Sequence, residues 1–380
     1  MNTKELNELR RRVTPERCGI ARVYGCYVNA NKEIIAYLEE SLGLMTTEES
    51  EEYLALFKKL LSGRQGQNLI DVVFSTEQVV SGEEHKLLMT LRDTALQDAA
   101  ARESFYKKVI ENLDMEGENY LILLASDRYD VPFRSQNDET MDDSSDHVFS
   151  YFLCSICPVK AGKSDLGYFA EENEFHPVKA HHLVAPPALG FMFPAFDSRA
   201  TNLYGALFYS RDPADLHQDF TDAVFHTDPP MPAPEQKDTF GEALSEALDK
   251  DLSFDVMTAV HGALTEKLAL HKESKVPEPL EIMPADVSEV LRESGVSDEH
   301  VAAFEKKCTE LFGEDASLRP ANVIDSKKFE VRTPTVKISV DPEFGYTVET
   351  RIIEGRKYLL IPADNGVELN GVTVHIPLEE

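Results

Sequence analysis

The sequence predicts an α+β protein, with a mixed sheet and covering helices in the N-terminal half, a small helical module, and a C-terminal antiparallel β meander. Three observations carry this. Two continuous apolar runs, residues 120–125 and 148–156, have the composition of strands buried on both faces. Between residues 237 and 312 apolar side chains recur at helical spacing. From residue 329 the recurrence shortens to a period of two.

Each element follows from local chemistry. Residues 2–12 form a short amphipathic helix with Leu6 and Leu9 on one face, stopped by Thr14-Pro15-Glu16. Residues 20–28 and 33–38 pair as a hairpin, because β-branched and aromatic residues flank the turn-forming Asn29-Ala30-Asn31-Lys32. Thr47 caps a helix that carries Tyr53, Leu54, Phe57, Leu60 and Leu61, and Gly63 stands where a C-terminal cap belongs. Residues 68–74 read as a buried strand, and 83–96 and 99–113 as helices that cover the sheet, the second with Phe105, Val109 and Leu113 aligned. The two apolar runs are central strands. Residues 134–146, polar and acidic, read as an exposed, mobile loop between them, and 203–209 as a further strand.

Pro229, Pro230, Pro232 and Pro234 forbid a regular ladder and mark an extended linker. The expected domains are therefore 1–228, a linker at 229–236, the helical module at 237–315 and the meander at 316–380. In the module Val256, Val260, Leu264 and Leu268 recur every four residues, and Pro277, Pro279 and Pro284 interrupt before the next helix. In the meander Val336, Ile338 and Val340 alternate, Glu354-Gly355 separates two strands, and Asn370-Gly371 is a strong hairpin signal.

Composition narrows function. Of 380 residues, 42% are hydrophobic and 28% charged, enough for a sizeable core. Lys and Arg number 38 against 68 Asp and Glu, and the net charge of −30 repels nucleic acid and anionic lipid at long range. The one dense basic run, Arg10-Arg11-Arg12 with Arg17 and Arg22 nearby, is either a phosphate contact or a solvated helix end. No apolar run approaches the roughly 20 residues that span a bilayer. The first residues lack the apolar core of a secretory signal, and five cysteines form no disulfide framework, so a cytoplasmic location is expected.

Candidate sites each have a functional and a bland reading. Cys154 and Cys157, with His176 and His181 as remaining ligands, have half the pattern of a zinc site or the spacing of a redox pair. Against this, strand alternation sends the two cysteines to opposite faces unless the chain bends, and no helix begins there to depress a thiol pKa. His181-His182 with His147 and Asp146 suggest a general base, but no nucleophile elbow or zinc-protease helix accompanies them. Gly63-Arg64-Gln65-Gly66 is phosphate-loop-like in composition only. The carboxylates Asp138, Asp142, Asp143 and Asp146 lack the spacing of a calcium loop. Residues 285–312 form either a packed helical hairpin or a helix-turn-helix, whose second helix would present Asp298 and Glu299 to DNA. The apolar stretch 186–196 is core if buried and a partner-binding patch through Phe191, Phe193 and Phe196 if exposed.

The stretches RRRVTPERCGIARVYGCYV, YLILLASDRYDVP, YFLCSICPVK and VETRIIEGRKYLLI resemble, in this order, the bacterial family called domain of unknown function 4317. The match runs almost end to end, and the family brings no activity, cofactor or catalytic residue to transfer. The order of α/β half, helical module and strand region preceded by Leu318-Arg319-Pro320 is similar in layout to the bacterial nucleoid-associated protein family NdpA, mainly over residues 237–361. The leading expectation is a cytosolic interaction protein with an unknown protein partner, associated with nucleoid or DNA-processing machinery, and with no cofactor. Two alternatives stand beside it: a zinc- or thiol-dependent enzyme centred on Cys154, Cys157 and His181, and a direct DNA binder through residues 285–312.

Overall fold

The computed structural model describes the chain except residues 135–139, 163–165, 178–181, 228, 277, 315–316, 327, 365, 370 and 375–380, and except the side chains of 133–134, 140–146, 166, 169, 177 and 342–343. It is an α+β structure that divides into two compact units, Met1–Ala233 with Pro277–Pro279, and Pro234–Val276 with Leu280–Glu380.

The first unit runs α1 (Thr3–Arg12), β1 (Arg22–Val28), β2 (Ile34–Ser41), α2 (Thr47–Leu60), β3 (Leu69–Val73), α3 (Thr76–Ser81), α4 (Glu83–Asp93), α5 (Ala99–Asn112), β4 (Asn119–Arg134) and β5 (Thr140–Ala161). It continues with β6 (Leu166–Phe169), β7 (Glu174–Pro177), β8 (His182–Val184), β9 (Leu189–Phe193), β10 (Ala195–Asp197), β11 (Ala200–Asn202), β12 (Gly205–Ser210) and α6 (Gln218–Phe225). Its main sheet has the order β2-β1-β4-β5-β9-β12-β3, with β8 also on β5, and each of these pairings is antiparallel.

Local chemistry explains the elements. Asn2 and Glu5 close a capping box at the start of α1. The β1–β2 turn is held by the Asn29 side chain, which accepts hydrogen bonds from the backbone N–H of Asn31 and Glu33, each at 2.9 Å. The cap of α2 is Thr46 rather than Thr47. Thr46 accepts from the Glu49 N–H while the Glu49 carboxylate accepts from the Thr46 N–H, a reciprocity that Thr47 with Ser50 cannot supply. β3, expected to be buried, is an edge strand with Asp71 and Val73 exposed.

The β4–β5 hairpin outruns its apolar segments, with pairing reaching Arg134 opposite Thr140. Most of the stretch expected to be a loop at 134–146 is therefore strand, because ladder hydrogen bonds come from the backbone and do not require apolar side chains. The expected loop tip, 135–139, lies outside the described residues.

Alternation along the strands creates two cores. One side of the sheet presents Tyr24, Ile122, Leu124, Phe152, Ile156, Phe191 and Phe208 to α4, α5 and α6. The opposite side presents Leu121, Leu123, Leu153, Met192 and Leu207 to α1 and α2. Helices thus cover both faces, as strands that are apolar on both sides require.

In the second unit α7 (Ala233–Leu248) begins within the stretch expected to be a linker, with Pro234 in its first turn, where a missing N–H costs nothing. There follow α8 (Phe254–Ser274), α9 (Pro284–Glu293), α10 (Asp298–Phe312) and α11 (Pro320–Val323). Phe240, Leu244, Val260, Leu264, Leu291 and Phe304 share one core. The strand region is three separate hairpins: β13 (Phe329–Arg332) with β14 (Lys337–Val340), β15 (Glu349–Ile353) with β16 (Arg356–Leu360), and β17 (Val367–Leu369) with β18 (Val372–Val374). Glu354 and Gly355 both have positive φ, the geometry of a tight primed hairpin turn.

Gly190 marks a close approach of helix to sheet, since a Cβ there would meet the Cys154 carbonyl oxygen first and would lie 2.6 Å from Leu60 of α2. Gly190→Ala should lower the urea unfolding free energy by about 1–3 kcal/mol, the usual cost of overpacking a core. An unchanged midpoint would refute this contact.

Candidate functional site

The candidate residues on β5 are distributed by strand alternation. Cys154 belongs to the core under α5, whereas Cys157, three positions on, belongs to the core under α2. The structure does not bring the two sulfurs together. His176 lies on β7, where its Nε2 is 2.9 Å from Glu172, and His181 is outside the described residues. His147 is on β5 with a buried Nε2 that has no hydrogen-bond partner, and the Asp146 side chain falls outside the described set.

Phe191, Phe193 and Phe196 are wholly buried and in this structure present no surface to a partner. Phe191 sits among Phe105, Phe152 and Phe225, with ring centroids 5.0–6.0 Å apart, whereas Phe196 packs on Phe149 on the opposite side of the sheet. In the second unit α9 and α10 form a helical hairpin whose apolar faces, with Val287, Leu291, Val301, Phe304 and Cys308, are buried. Its cations are engaged. Arg292 lies 3.2 Å from Glu305 and 3.9 Å from Asp298, Lys306 is 3.7 Å from Glu310, and Lys307 is 2.6 Å from Glu246.

Two further arrangements emerge, built mostly from residues that were not candidates, although Arg12 of the basic run takes part in the first. The first is a polar network between α1 and the outer part of β4. Asp127 is buried and accepts hydrogen bonds from the backbone N–H of Gly19 (2.7 Å) and Arg128 (2.8 Å) and from the Tyr151 hydroxyl (2.8 Å). A Cβ at position 19 would sit 2.8 Å from the Asp127 carboxylate, so only glycine fits. The Arg12 guanidinium is 3.7 Å from Asp127 and stacks 4.1 Å from the Tyr129 ring centroid. The Tyr129 hydroxyl donates to Glu8 at 2.5 Å, and Arg199 grips the same carboxylate at 2.7 and 2.8 Å. Burial first and the Glu8 carboxylate second push the Tyr129 phenol up to about 12, and burial followed by Asp127 pushes Tyr151 well above its ordinary value. Both phenols therefore stay protonated donors at neutral pH.

The second is a groove in the second unit, a cavity of about 820 Å³ lined by Phe254, Val336, Ile338, Ile352, Tyr358 and Leu359 with Thr333, Thr350, Arg351 and Lys357. Around it Val336, in the turn before β14, is 52% exposed and Ile352 of β15 73%, high values for apolar residues. In the sequence Val336, Ile338 and Val340 alternate within an antiparallel meander, which says nothing of what covers them. Phe329 of β13 is buried against Phe254 and His261 of α8 whereas β15 is exposed throughout, a difference that alternation does not reveal.

Residues 1–372 match the family model described as Domain of unknown function (DUF4317). The chain belongs to this family. No curated protein and no solved structure matches it significantly, and the similarity in layout to NdpA gains no support from these comparisons. Family membership carries no chemistry with it. No helix among the described residues is long and apolar enough to cross a membrane.

The five cysteines are unpaired. Burial pushes Cys26 and Cys308 up to about 12 and Cys157 up to about 11, and raises Cys154 well above the ordinary thiol value. Cys18, half-buried, is raised too, by burial and then by the Asp127 charge. Because the thiolate is the reactive form, the native chain should react slowly with a disulfide reagent at neutral pH, Cys18 first, and all thiols should react once denaturant unfolds it. Fast labelling of Cys154 and Cys157 in the native chain would contradict their burial. Truncating Phe191 to alanine should cost about 3–5 kcal/mol of unfolding free energy, as for other buried aromatics, and a loss below 1 kcal/mol would show that the ring is dispensable to the core.

Proposed function

We propose that this chain works by binding another protein, through the groove between the β13–β14 and β15–β16 hairpins. The observation that carries this reading is the exposed apolar surface at Val336, Ile352 and Tyr358 around a cavity large enough for several side chains. A two-stranded hairpin is marginal alone in water, and each of these hairpins pairs only within itself among the described residues. Unpaired edges beside apolar pockets suit strand addition, in which a partner's backbone supplies hydrogen bonds and alternate side chains enter the pockets.

Among the described lining residues the charged groups are Lys357 and Arg351, the second paired with Glu349 at 2.8 Å, and none is a carboxylate. The occupant that complements this wall is an extended segment with alternating apolar residues and an acidic side chain. Association with nucleoid or DNA-processing machinery would then run through the bound protein and not through bare DNA, consistent with the net charge of −30. The reading includes a cytoplasmic location, supported by five unpaired cysteines.

Selection of a displayed random-peptide library on the full chain tests this. The expected result is a consensus of alternating apolar and acidic residues whose binding is lost in Ile352→Asp, with the circular dichroism spectrum unchanged. Capture from native lysate should then enrich a protein carrying that consensus, in a nuclease-resistant manner and only with the unsubstituted chain. No consensus, or one that binds Ile352→Asp equally well, would sink the proposal.

A further inference from the structure

The geometry points to a second binding site, in the other unit, for a small multiply charged anion such as a phosphate or polyphosphate group. Lys4, Asn7, Glu8, Arg11, Arg12 and Arg17 line a surface cavity of about 340 Å³. Positions 4, 7, 8, 11 and 12 share one face of α1, beside the face that buries Leu6 and Leu9, and Arg17 comes from the loop that follows. Four of the six lining residues are cations, in a chain whose acids outnumber its bases 68 to 38. A patch drawn at random from such a surface would be acidic.

The local charge balance is more lopsided than the residue list suggests. Glu8, the single anion among the described lining residues, is held by Arg199 at 2.7 Å, so its charge is already compensated. Lys4, Arg11 and Arg17 form no ion pair among the described residues. Arg12 is loosely matched by Asp127 at 3.7 Å, and its Nε is buried without a hydrogen-bond partner, although buried polar atoms are nearly always satisfied.

The cavity is built and not merely populated. The Tyr129 ring stacks on the Arg12 guanidinium, which donates to the Arg128 carbonyl oxygen at 3.4 Å and lies 3.7 Å from the Asp127 carboxylate, itself buried and fixed by two backbone N–H groups and the Tyr151 hydroxyl. Arg12 therefore reaches the site with its orientation set before a ligand arrives. Three guanidinium groups and an ammonium favour an anion with several oxygens and more than one charge over a lone carboxylate, because planar N–H forks bind phosphate oxygens in pairs.

Size follows from screening. The Debye length is about 10 Å at 0.1 M salt, so a small anion in the cavity feels the local cations and little of the distant acidic surface. A polynucleotide extends over many such lengths and meets the remaining negative charge, so the site selects short ligands.

Calorimetric titration of the full chain in about 0.1 M salt, where the distant acidic surface is screened, tests this, with inorganic pyrophosphate and inorganic phosphate as probes and added sodium chloride as the matched ionic control. Saturable binding of pyrophosphate, weaker binding of phosphate and none of chloride are expected. The exposed substitutions Arg11→Gln and Arg17→Gln together should weaken pyrophosphate about tenfold or more, whereas Arg22→Gln, whose guanidinium pairs with Glu39 on the β1–β2 hairpin, should leave it unchanged. Circular dichroism confirms that each variant is folded. Absence of saturable binding, equal weakening by Arg22→Gln, or tighter binding of a duplex oligonucleotide than of pyrophosphate would each overturn the assignment.

Discussion

The architecture of the first unit depends on one constraint, that strands β4, β5 and β9 are apolar on both sides. An antiparallel strand with one wet face alternates apolar with polar residues, but YLILLA and FSYFLCSI do not. Water must therefore be excluded from both faces, which requires helices above and below the sheet. α4, α5 and α6 supply one layer and α1 and α2 the other. The same alternation distributes chemistry. Residues two apart share a core and residues three apart do not, so Cys154 and Cys157 are separated by the sheet itself.

The polar network arises where that apolar hairpin runs out. Beyond Ala125 the strand carries Asp127, Arg128 and Tyr129, yet β5 continues opposite with Tyr151 and Phe149. A carboxylate held there must be satisfied, and the loop after α1 brings the Gly19 N–H while α1 brings Arg12. Burial of Asp127 thus ties the N-terminal helix to the central hairpin and, through Arg12 and Tyr129, sets the orientation of the cationic face. The second unit has the opposite economy. Its helices bury a continuous core, whereas its hairpins leave apolar residues in water, the condition expected of a surface that is complete only when occupied.

Much of the secondary structure was legible because it rests on local chemistry. The hairpin at Asn29, the helices at α4, α5, α8 and α10, and the strand turns at Glu354-Gly355 and Gly371 all follow from periodicity and turn residues that lie within a few positions of one another. The departures have a common origin in tertiary partners. β5 starts at Thr140, within a polar stretch, because a neighbouring strand can pair with any backbone. β3 is an edge strand because its second neighbour never arrives, and α7 begins among prolines because a helix tolerates Pro in its first turn.

The sites were less legible than the fold. Arg10, Arg11 and Arg12 were visible as a basic run, but Asp127 and Tyr129, the partners of Arg12, lie more than a hundred residues away and no local pattern joins them. Val336 and Ile352 belong to segments whose strand pattern was visible, and no feature of the chain says whether anything covers them. The sequence by itself determined the α+β class, the doubly apolar central strands and the opposite fates of Cys154 and Cys157, since each follows from a two- or four-residue period. Tertiary structure alone decided which arginines converge, which carboxylate is buried with them and which apolar faces stay open, because convergence and exposure are properties of distant segments meeting in space.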